Sequence, residues 1–559
     1  MSRLNLRIDT LAMLTIWCVL LLAVSTSGAT SGANLTVKSG GGGNFTTIQA
    51  CATAMAPGDT CTVYAGTYNE TVTLGAGTAG NYKTLNVNGS DLVYVQGFVA
   101  ASYAKIIGFH IQYPSSPGSG CISIPNGTQY LYIRNNVLTE CGVSGQTMIN
   151  LPWPNTGSYI FIQGNTLSFP CVNSGSINHN ECDSVYATGD HWLIENNDFS
   201  HYTLSVLFLT KYAIFRNNTF HDQYETEAAG NYHTDTFFSE PGVSVPVQYN
   251  VMEGNYQYNA FGPDAKGLLA QNEGCGGTCY NIIERFNIVS RIGGGVTSND
   301  ANPGWPYFKV YNNTFVDPES DITSSNPVTD NHTYGGAETS GAPSASELNN
   351  LFYYSRSTGG VTAGWGPYST GNVSTDVYGY NLVWCPSCST IYSHLYGSGS
   401  WTSDPGNKNA NPLFVNYVSP GSLSNDYHLQ AGSPAIAAGT YLTTVASGDT
   451  GSGTSLVVND ASYFQDGYGL SNAYSTVQAD CISVTTVGNH VCITAINYST
   501  NTLTLSSPIA RTSGDAVWLY SKSDGVQVLT RSAPDLGAYP YGGGGTTPAP
   551  PTNVSAVVH

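Results

Sequence analysis

The sequence predicts an all-β chain wound as a solenoid, and three observations carry that prediction. The first is a short phrase that recurs between residues 130 and 320. Its copies are YIRNNVL (132–138), FIQGNTL (161–167), LIENNDF (193–199), IFRNNTF (214–220) and KVYNNTF (309–315), with weaker copies VMEGNYQ (251–257) and IIERFNI (282–288). The second Asn falls at Asn136, Asn165, Asn197, Asn218, Asn255, Asn287 and Asn313, at intervals of 21 to 37 residues. Such a period marks stacked coils, here of roughly 21–26 residues with loops spliced into some of them. The second observation is alternation before the turn. Ile133, Ile162, Ile194, Phe215 and Val310 stand three residues before the second Asn, and Leu131, Ile160, Trp192 and Phe308 two residues earlier still, which is the period of a β-strand. Asn tolerates left-handed backbone angles, and equivalent Asn side chains on stacked coils can bond one another along the axis. Third, no stretch after residue 60 has the pattern of a long amphipathic helix, which argues against the helix-containing solenoids.

The remaining elements follow in chain order. Arg3 and Arg7 precede the apolar run LAMLTIWCVLLLAV (11–24), and Ser27-Gly-Ala29 offers a cleavage site, so residues 1–29 read as a secretory signal peptide. The run is short for a membrane span and no second apolar stretch follows it. The mature chain is therefore expected outside the cell, secreted or at the surface, with no membrane span. Within a capping region over 30–75, TTIQACATAMA (46–56) reads as a short helix that would plug the first coil and shield its open edge. The coils are expected over 30–440. Residues 441–530 break the pattern and form short alternating strands, a small β module set between two closing phrases. Residues 531–541 return to the solenoid, and 542–559 are a Gly-rich, then Pro-rich linker and truncated tail.

Thirteen cysteines include Cys18 inside the apolar run, and the other twelve fall as sequence neighbours. The pairs are Cys51/Cys61, Cys121/Cys141, Cys171/Cys182, Cys275/Cys279, Cys385/Cys388 and Cys481/Cys492, which predicts six local disulfides in an oxidising compartment. A zinc site would need two of the close pairs together, and Cys275/Cys279 and Cys385/Cys388 are over 100 residues apart.

At this point the chain resembles a known group, the right-handed parallel β-helix proteins of the pectate-lyase-like superfamily. FTTIQACATAMAPGDTCTVYAGTYNETV (45–72) is similar to that group's N-terminal cap, and IIGFHI (106–111) to its first rung. SPAIAAG (433–439) and APDLGAYPY (533–541) are similar to its closing phrases. The resemblance implies a right-handed parallel β-helix with an N-terminal helical cap and a small inserted C-terminal β module. It implies no single chemistry, because this solenoid carries lyases, hydrolases, epimerases and inert fibres. The Arg-containing signature of the common pectate lyases is absent. So are the Asn-Thr-Asp, Asp-Asp, Gly-His-Gly and Arg-Ile-Lys motifs of the polygalacturonase-like hydrolases, of which His233-Thr-Asp235 is a partial echo.

Charge narrows the partners. Lys and Arg number 17 against 36 Asp and Glu, a net charge of −19, and no basic stripe exists to hold nucleic acid. A polyanionic polysaccharide would have to be held by a few Arg and Lys, or through bridging Ca²⁺. Tyr is abundant, with 38 residues, and exposed Tyr could stack on sugar rings.

Candidate chemistry comes from aligning the strand entrances of successive coils, which lie about 4.8 Å apart. The segments ECDSVYA (181–187), YTLSVLF (202–208), HTDTFFS (233–239), DAKGLLA (264–270) and IGGGVTS (292–298) give two columns. One reads Glu181, Tyr202, His233, Asp264, Ile292, and the other Asp183, Leu204, Asp235, Lys266, Gly294. His179, His191, His201 and His221 fall in the same region. Lys266, Asp235, His233 and Asp183 are the candidate catalytic residues. Tyr202, His201 and Tyr232 are the candidate substrate contacts, and Asp183, Asp235, Asp264 and Glu181 the candidate ligands for Ca²⁺. In a lyase, Lys266 would abstract the proton α to a uronate carboxylate. That needs a lowered pKa, which Asp235 would raise and a neighbouring Ca²⁺ would lower. In a hydrolase, two carboxylates two coils apart would stand about 9.5 Å from each other, at the wide end of the inverting separation. The alternative is a non-catalytic glycan-binding, adhesive or structural surface protein, in which these polar groups only bond turn backbone.

Overall fold

Alternation in the recurring phrase sends one set of side chains inward and the other outward. Ile160 and Ile162 lie level with Trp192 and Ile194 on the next coil, all fully buried, while Phe161 and Gln163 lie level with Leu193 and Glu195 on the outer face. The structure is a computed structural model that describes residues 32–113, 120–141, 147–168, 183–223, 235–239, 245–260, 266–271, 278–292, 294–299, 305–317, 337–338, 344–355, 363–365, 367–368, 377–386, 390–392, 404–419 and 421–542. It is an all-β solenoid. Each central coil contributes one strand to each of three parallel sheets. The first sheet holds Leu204–Lys211, Asp235–Ser239, Lys266–Gln271 and Gly294–Asn299. The second holds the strands before the Asn turn, among them Gly157–Gln163, Ile214–Arg216 and Gln248–Glu253. The third holds those after it, such as Asp198–Ser200, Thr219–Gln223 and Tyr256–Ala260.

The Asn turns are joined into a buried ladder. Asn197 donates from both its backbone N–H and its Nδ2 to Oδ1 of Asn218, each at 3.0 Å. Asn218 Nδ2 in turn donates to the Ile194 carbonyl at 2.9 Å and to Oδ1 of Asn255 at 3.0 Å. The pattern runs from Asn136 through Asn350, and backbone N–H groups carry it on to Asn381 and Asn407. The residue before each ladder Asn takes the left-handed angle, as at Asn196 (φ 55°), Asn217 (φ 53°) and Gly254 (φ 67°).

Two more corners per coil are also left-handed. Six residues before the ladder Asn stand Tyr130, Tyr159, His191, Tyr212 and Tyr249, with φ of 53–57°. This conformation is unfavourable for bulky side chains. Ring stacking along the axis offsets it, with centroids 4.6 Å apart for Tyr130 and Tyr159 and for Tyr159 and His191, and 5.3 Å apart for Tyr212 and Tyr249. Four residues after the ladder Asn stand Glu140, His201, Asp222, Asn259 and Arg291, with φ of 48–56°.

The helix Ile48–Ala54 buries Ile48, Cys51 and Ala52, and Thr47 caps it by accepting from the Ala50 N–H. The Glu70 carboxylate accepts from Ile48 and Gln49 N–H at its positive end. The disulfides Cys51–Cys61, Cys121–Cys141 and Cys481–Cys492 are present. Cys279 and Cys385 are also disulfide-bonded, whereas Cys171, Cys182, Cys275 and Cys388 lie outside the described residues. Among the described residues no helix is long and apolar enough to cross a membrane.

Residues 443–521 hold a six-stranded antiparallel sheet. This module covers the outer face of the second sheet, where Phe161, Leu193, Ile214, Val251 and Ile283 pack against Leu456, Tyr463, Phe464 and Leu470. Two residues before successive ladder Asn residues, the outer column reads Gln163, Glu195, Arg216, Glu253, Arg285, bonded in two runs that Ser523 joins. Gln163 Nε2 donates to Glu195 at 2.7 Å, Arg216 Nε to Glu195 at 2.8 Å, and Arg285 Nε to Glu253 at 2.7 Å. The module completes it. Asp480 takes both terminal nitrogens of Arg285 at 2.7 Å, and the Ser523 hydroxyl and carbonyl take Arg216. Burial pushes the Glu253 carboxyl up, but Arg285, Lys522 and the Ser523 hydroxyl outweigh it and hold the group well below the usual range. Past the module, Leu536 and Gly537 N–H return to the Ala435 and Asn349 carbonyls, both at 2.9 Å.

Two inward positions break the apolar rule, Glu284 and, two coils further on, Glu347. Glu284 lies level with Met252 and Val310, is fully buried, and both its carboxyl oxygens lack hydrogen-bond partners among the described residues. Burial alone pushes its pKa well up.

Two outcomes are expected. Asn218→Ala removes a two-coil set of buried bonds and should cost about 2–5 kcal/mol in denaturant unfolding, with Asn218→Asp also destabilising at neutral pH because it sets an oxygen against two acceptors. Glu284→Met should stabilise by about 1–3 kcal/mol at neutral pH. A raised carboxyl pKa means the penalty is absent below the ordinary Glu range and grows as pH rises through that range, so the gain should shrink in unfolding measured near pH 4.

Candidate active site

The first sheet brings the strand entrances into register. Asp183 is level with Leu204, and Val206 with Phe237, which sets Leu204 level with Asp235. Asp235 is level with Lys266, and Lys266 with Gly294. Asp235 and Lys266 thus stand on adjacent coils about 4.8 Å apart, with Asp183 two coils from Asp235. Asp183 and Asp235 are buried, at 5% and 0% exposure. The Lys266 side chain, Glu181, Tyr232, His233 and Asp264 lie outside the described residues. Among the described residues no group of three His, Cys, Asp or Glu is placed to hold a metal ion.

Tyr202 requires a correction. As a substrate contact it would have to face solvent, yet it is 1% exposed; Asp235, at 0%, and Asp183, at 5%, would likewise have to be uncovered to meet a sugar. Its hydroxyl meets the Thr236 hydroxyl at 3.2 Å and its ring packs edge-on to Phe220, so it fills the interior at a tight corner. His201, one residue earlier, takes the left-handed corner instead, and burial holds its imidazole below the ordinary value.

The corner column is where the described polar groups gather. It reads His201, Asp222, Asn259, Arg291 on successive coils, and His201 and Arg291 each stand three residues ahead of the first-sheet column at Leu204 and Gly294. Asn259 Nδ2 donates to Asp222 at 3.2 Å, and Arg291 donates to Asn259 Oδ1 at 3.4 Å. Beside it, His221 is held by two carboxylates, Nε2 to Asp198 at 3.1 Å and Nδ1 to Asp222 at 2.8 Å. The ring stacks on Tyr258 with centroids 5.1 Å apart. Burial pushes the imidazole down, but Asp198 and Asp222 outweigh it and push it up to about 9. His221 in turn holds Asp222 below the usual carboxylate range. The arrangement keeps a protonated imidazole between two carboxylates beside the mouth of the first sheet.

Asp198, Asp222, Asn259 and Arg291 were not among the residues expected from sequence, and His221 was noted without a role. The signal was present in the phrase itself, since Asp198 directly follows a ladder Asn and Asp222, Asn259 and Arg291 lie four residues after one.

No protein-family model matches the chain, and no curated protein does. Among solved structures it is similar to the PL6 family alginate lyase AlyGC, at 14% identity and a TM-score of 0.39, over 70% of this chain and 56% of that one. It is similar to the GH136 lacto-N-biosidase from Eubacterium ramulus at 10% identity and a TM-score of 0.40, over 63% and 67% of the two chains. It is also similar to the pectate lyase Pel9A at 14% identity and a TM-score of 0.30, over 70% and 86%. The resemblance to pectate-lyase-like β-helix folds extends no further than fold, and the activities of these proteins do not transfer at such similarity.

The His221 cluster has a pH signature. A histidine pKa raised from 6.5 to about 9 contributes stability that is complete below pH 6.5 and is lost as pH rises through about 9. His221→Gln should therefore be clearly less stable than the parent at pH 6, with the two converging above pH 9 in denaturant titrations. An NMR titration should place the His221 midpoint near 9.

Proposed function

We propose that the chain is a secreted right-handed parallel β-helix, stoppered by its Ile48–Ala54 helix, that acts on an extracellular polysaccharide at the 181–266 face. The supporting observation is the register that sets Asp235 level with Lys266 on adjacent coils, beside a polar corner column. A sugar chain lying along the solenoid axis would cross these coils in turn. The chemistry is β-elimination or glycosidic hydrolysis. In the first, Lys266 abstracts the proton α to a uronate carboxylate, a C=C bond forms as the glycosidic C–O bond breaks, and the leaving oxygen takes up a proton. In the second, Asp183 and Asp235, about 9.5 Å apart, serve as the acid and base of an inverting cleavage. Ca²⁺, when bound, would supply positive charge that attracts substrate carboxylates and lowers the pKa of a nearby lysine. Asp183 and Asp235 offer hard oxygen donors suited to it, and Asp264 and Glu181 would complete the set.

The test incubates the mature chain with a panel of acidic and neutral polysaccharides, with and without Ca²⁺, reading absorbance at about 235 nm and reducing ends together. Calcium-dependent absorbance that falls by about 10²-fold or more in Lys266→Ala is the elimination outcome. Reducing ends without absorbance, lost in Asp235→Asn, are the hydrolysis outcome. Silence on both with retained glycan binding would replace the enzyme with a non-catalytic adhesive protein.

A further inference from the structure

Most cations buried under the module face a carboxylate. Arg216 pairs with Glu195, Arg285 with Glu253 and Asp480, and Lys309 with Asp460. The outer face changes character at its N-terminal end, where Arg134 heads the charged column and Lys105 lies level with Tyr132 in the neighbouring one. There Lys105 and Arg134, on adjacent coils, make no ion pair among the described residues, in a chain whose net charge is −19. Both lie against one ring, that of Tyr474 from the module, with the Arg134 guanidinium 3.7 Å and the Lys105 ammonium 5.0 Å from its centroid. The two charges are therefore within about 9 Å of each other, close to the Debye length of about 8 Å at physiological salt. Tyr82 and Tyr132 complete an aromatic wall, 5.0 and 5.4 Å from the Lys105 ammonium. Tyr474 is 38% exposed. Arg134 Nε–H and Gln163 Oε1, level with each other on adjacent coils, are buried and have no hydrogen-bond partner among the described residues.

We infer that Lys105, Arg134 and Tyr474 form an anion-recognising glycan subsite, remote from the 181–266 face, that takes a uronate unit of an acidic polysaccharide. Two like charges held together without a counter-ion repel each other, and a carboxylate relieves that repulsion. The guanidinium fork and the ammonium suit carboxylate oxygens, while the exposed flank of Tyr474 provides an apolar surface for the ring C–H groups of the same sugar. Tyr474 comes from the module and the cations from the coils, so docking of the module is what assembles the subsite. The inference depends on the reading that this protein works on a glycan, and it narrows the substrate class to an acidic one.

The experiment measures equilibrium binding, not turnover, of the mature chain to polygalacturonate, alginate, a sulfated glycan and neutral xylan, at low and high salt. It uses the parent, Lys105→Gln/Arg134→Gln, Tyr474→Ala and, separately, Lys266→Ala. The expected result is salt-sensitive binding of a polyuronate that weakens at least about tenfold in the double variant and in Tyr474→Ala but persists in Lys266→Ala. Sulfated glycan binding with equal strength would overturn the uronate assignment, and binding unchanged in both subsite variants would overturn the subsite. A fall in thermal stability with unchanged affinity would mean that the cations only clamp the module. Loss of all turnover in Lys266→Ala with binding intact keeps the two readings apart.

Discussion

The structure depends on a column of buried amides. An Asn at an inside turn presents one acceptor and two donors where backbone groups would otherwise be left unpaired, and leaving such groups unpaired in an apolar interior is costly. Each ladder Asn serves three coils: its own, the preceding one through a carbonyl such as Ile194, and the next through the following Asn. Register is therefore set at every coil. A slip by one residue would break the ladder and turn the inward Ile and Phe set outward. The loops spliced in elsewhere can vary in length without disturbing the stack, because the ladder and the sheets realign the chain after each one.

The same repeat explains where polar groups accumulate. The described central coils have up to three left-handed corners, and each corner repeats one kind of side chain along the axis. At one corner the rings of Tyr and His stack and support the module. At another, His201, Asp222, Asn259 and Arg291 follow one another as a polar rail. Next to that rail the first sheet carries Asp235 and Lys266 in register. By sequence, three residues lead from His201 to Leu204 and from Arg291 to Gly294, against thirteen from Asp222 to Asp235 and seven from Asn259 to Lys266, and the proposed glycan-processing face lies at those longer segments.

The repeat, the turn residue and the second sheet were legible in the sequence, because Asn-Asn and Gly-Asn turns and period-two alternation are local signals. The last ladder members were not. Asn350 follows an inward Glu347, and Asn381 follows Tyr380 at the left-handed position, so neither copy matches the phrase. The charged column Glu195, Arg216, Glu253, Arg285 was also in plain view, two residues before each turn. Its meaning was hidden because such a column reads as a solvated outer face until Asp480 and Ser523, nearly 200 residues or more away in sequence, are set against it. Tyr202 shows the converse. An aromatic at a strand entrance looked available to a sugar, and only the tight corner after His201 turns it into the interior.

By itself the sequence determined the all-β solenoid, the coil period and the pairing of Cys51 with Cys61, Cys121 with Cys141 and Cys481 with Cys492, all consequences of side-chain chemistry acting over short distances. The tertiary structure decided which faces remain open. The outward side of the second sheet is alternately apolar and charged, and the module buries it. The corner rail is equally polar, and there His221 draws Asp198 and Asp222 together from successive coils. That difference arises from contacts between residues far apart in the chain, whose pairing no local pattern encodes.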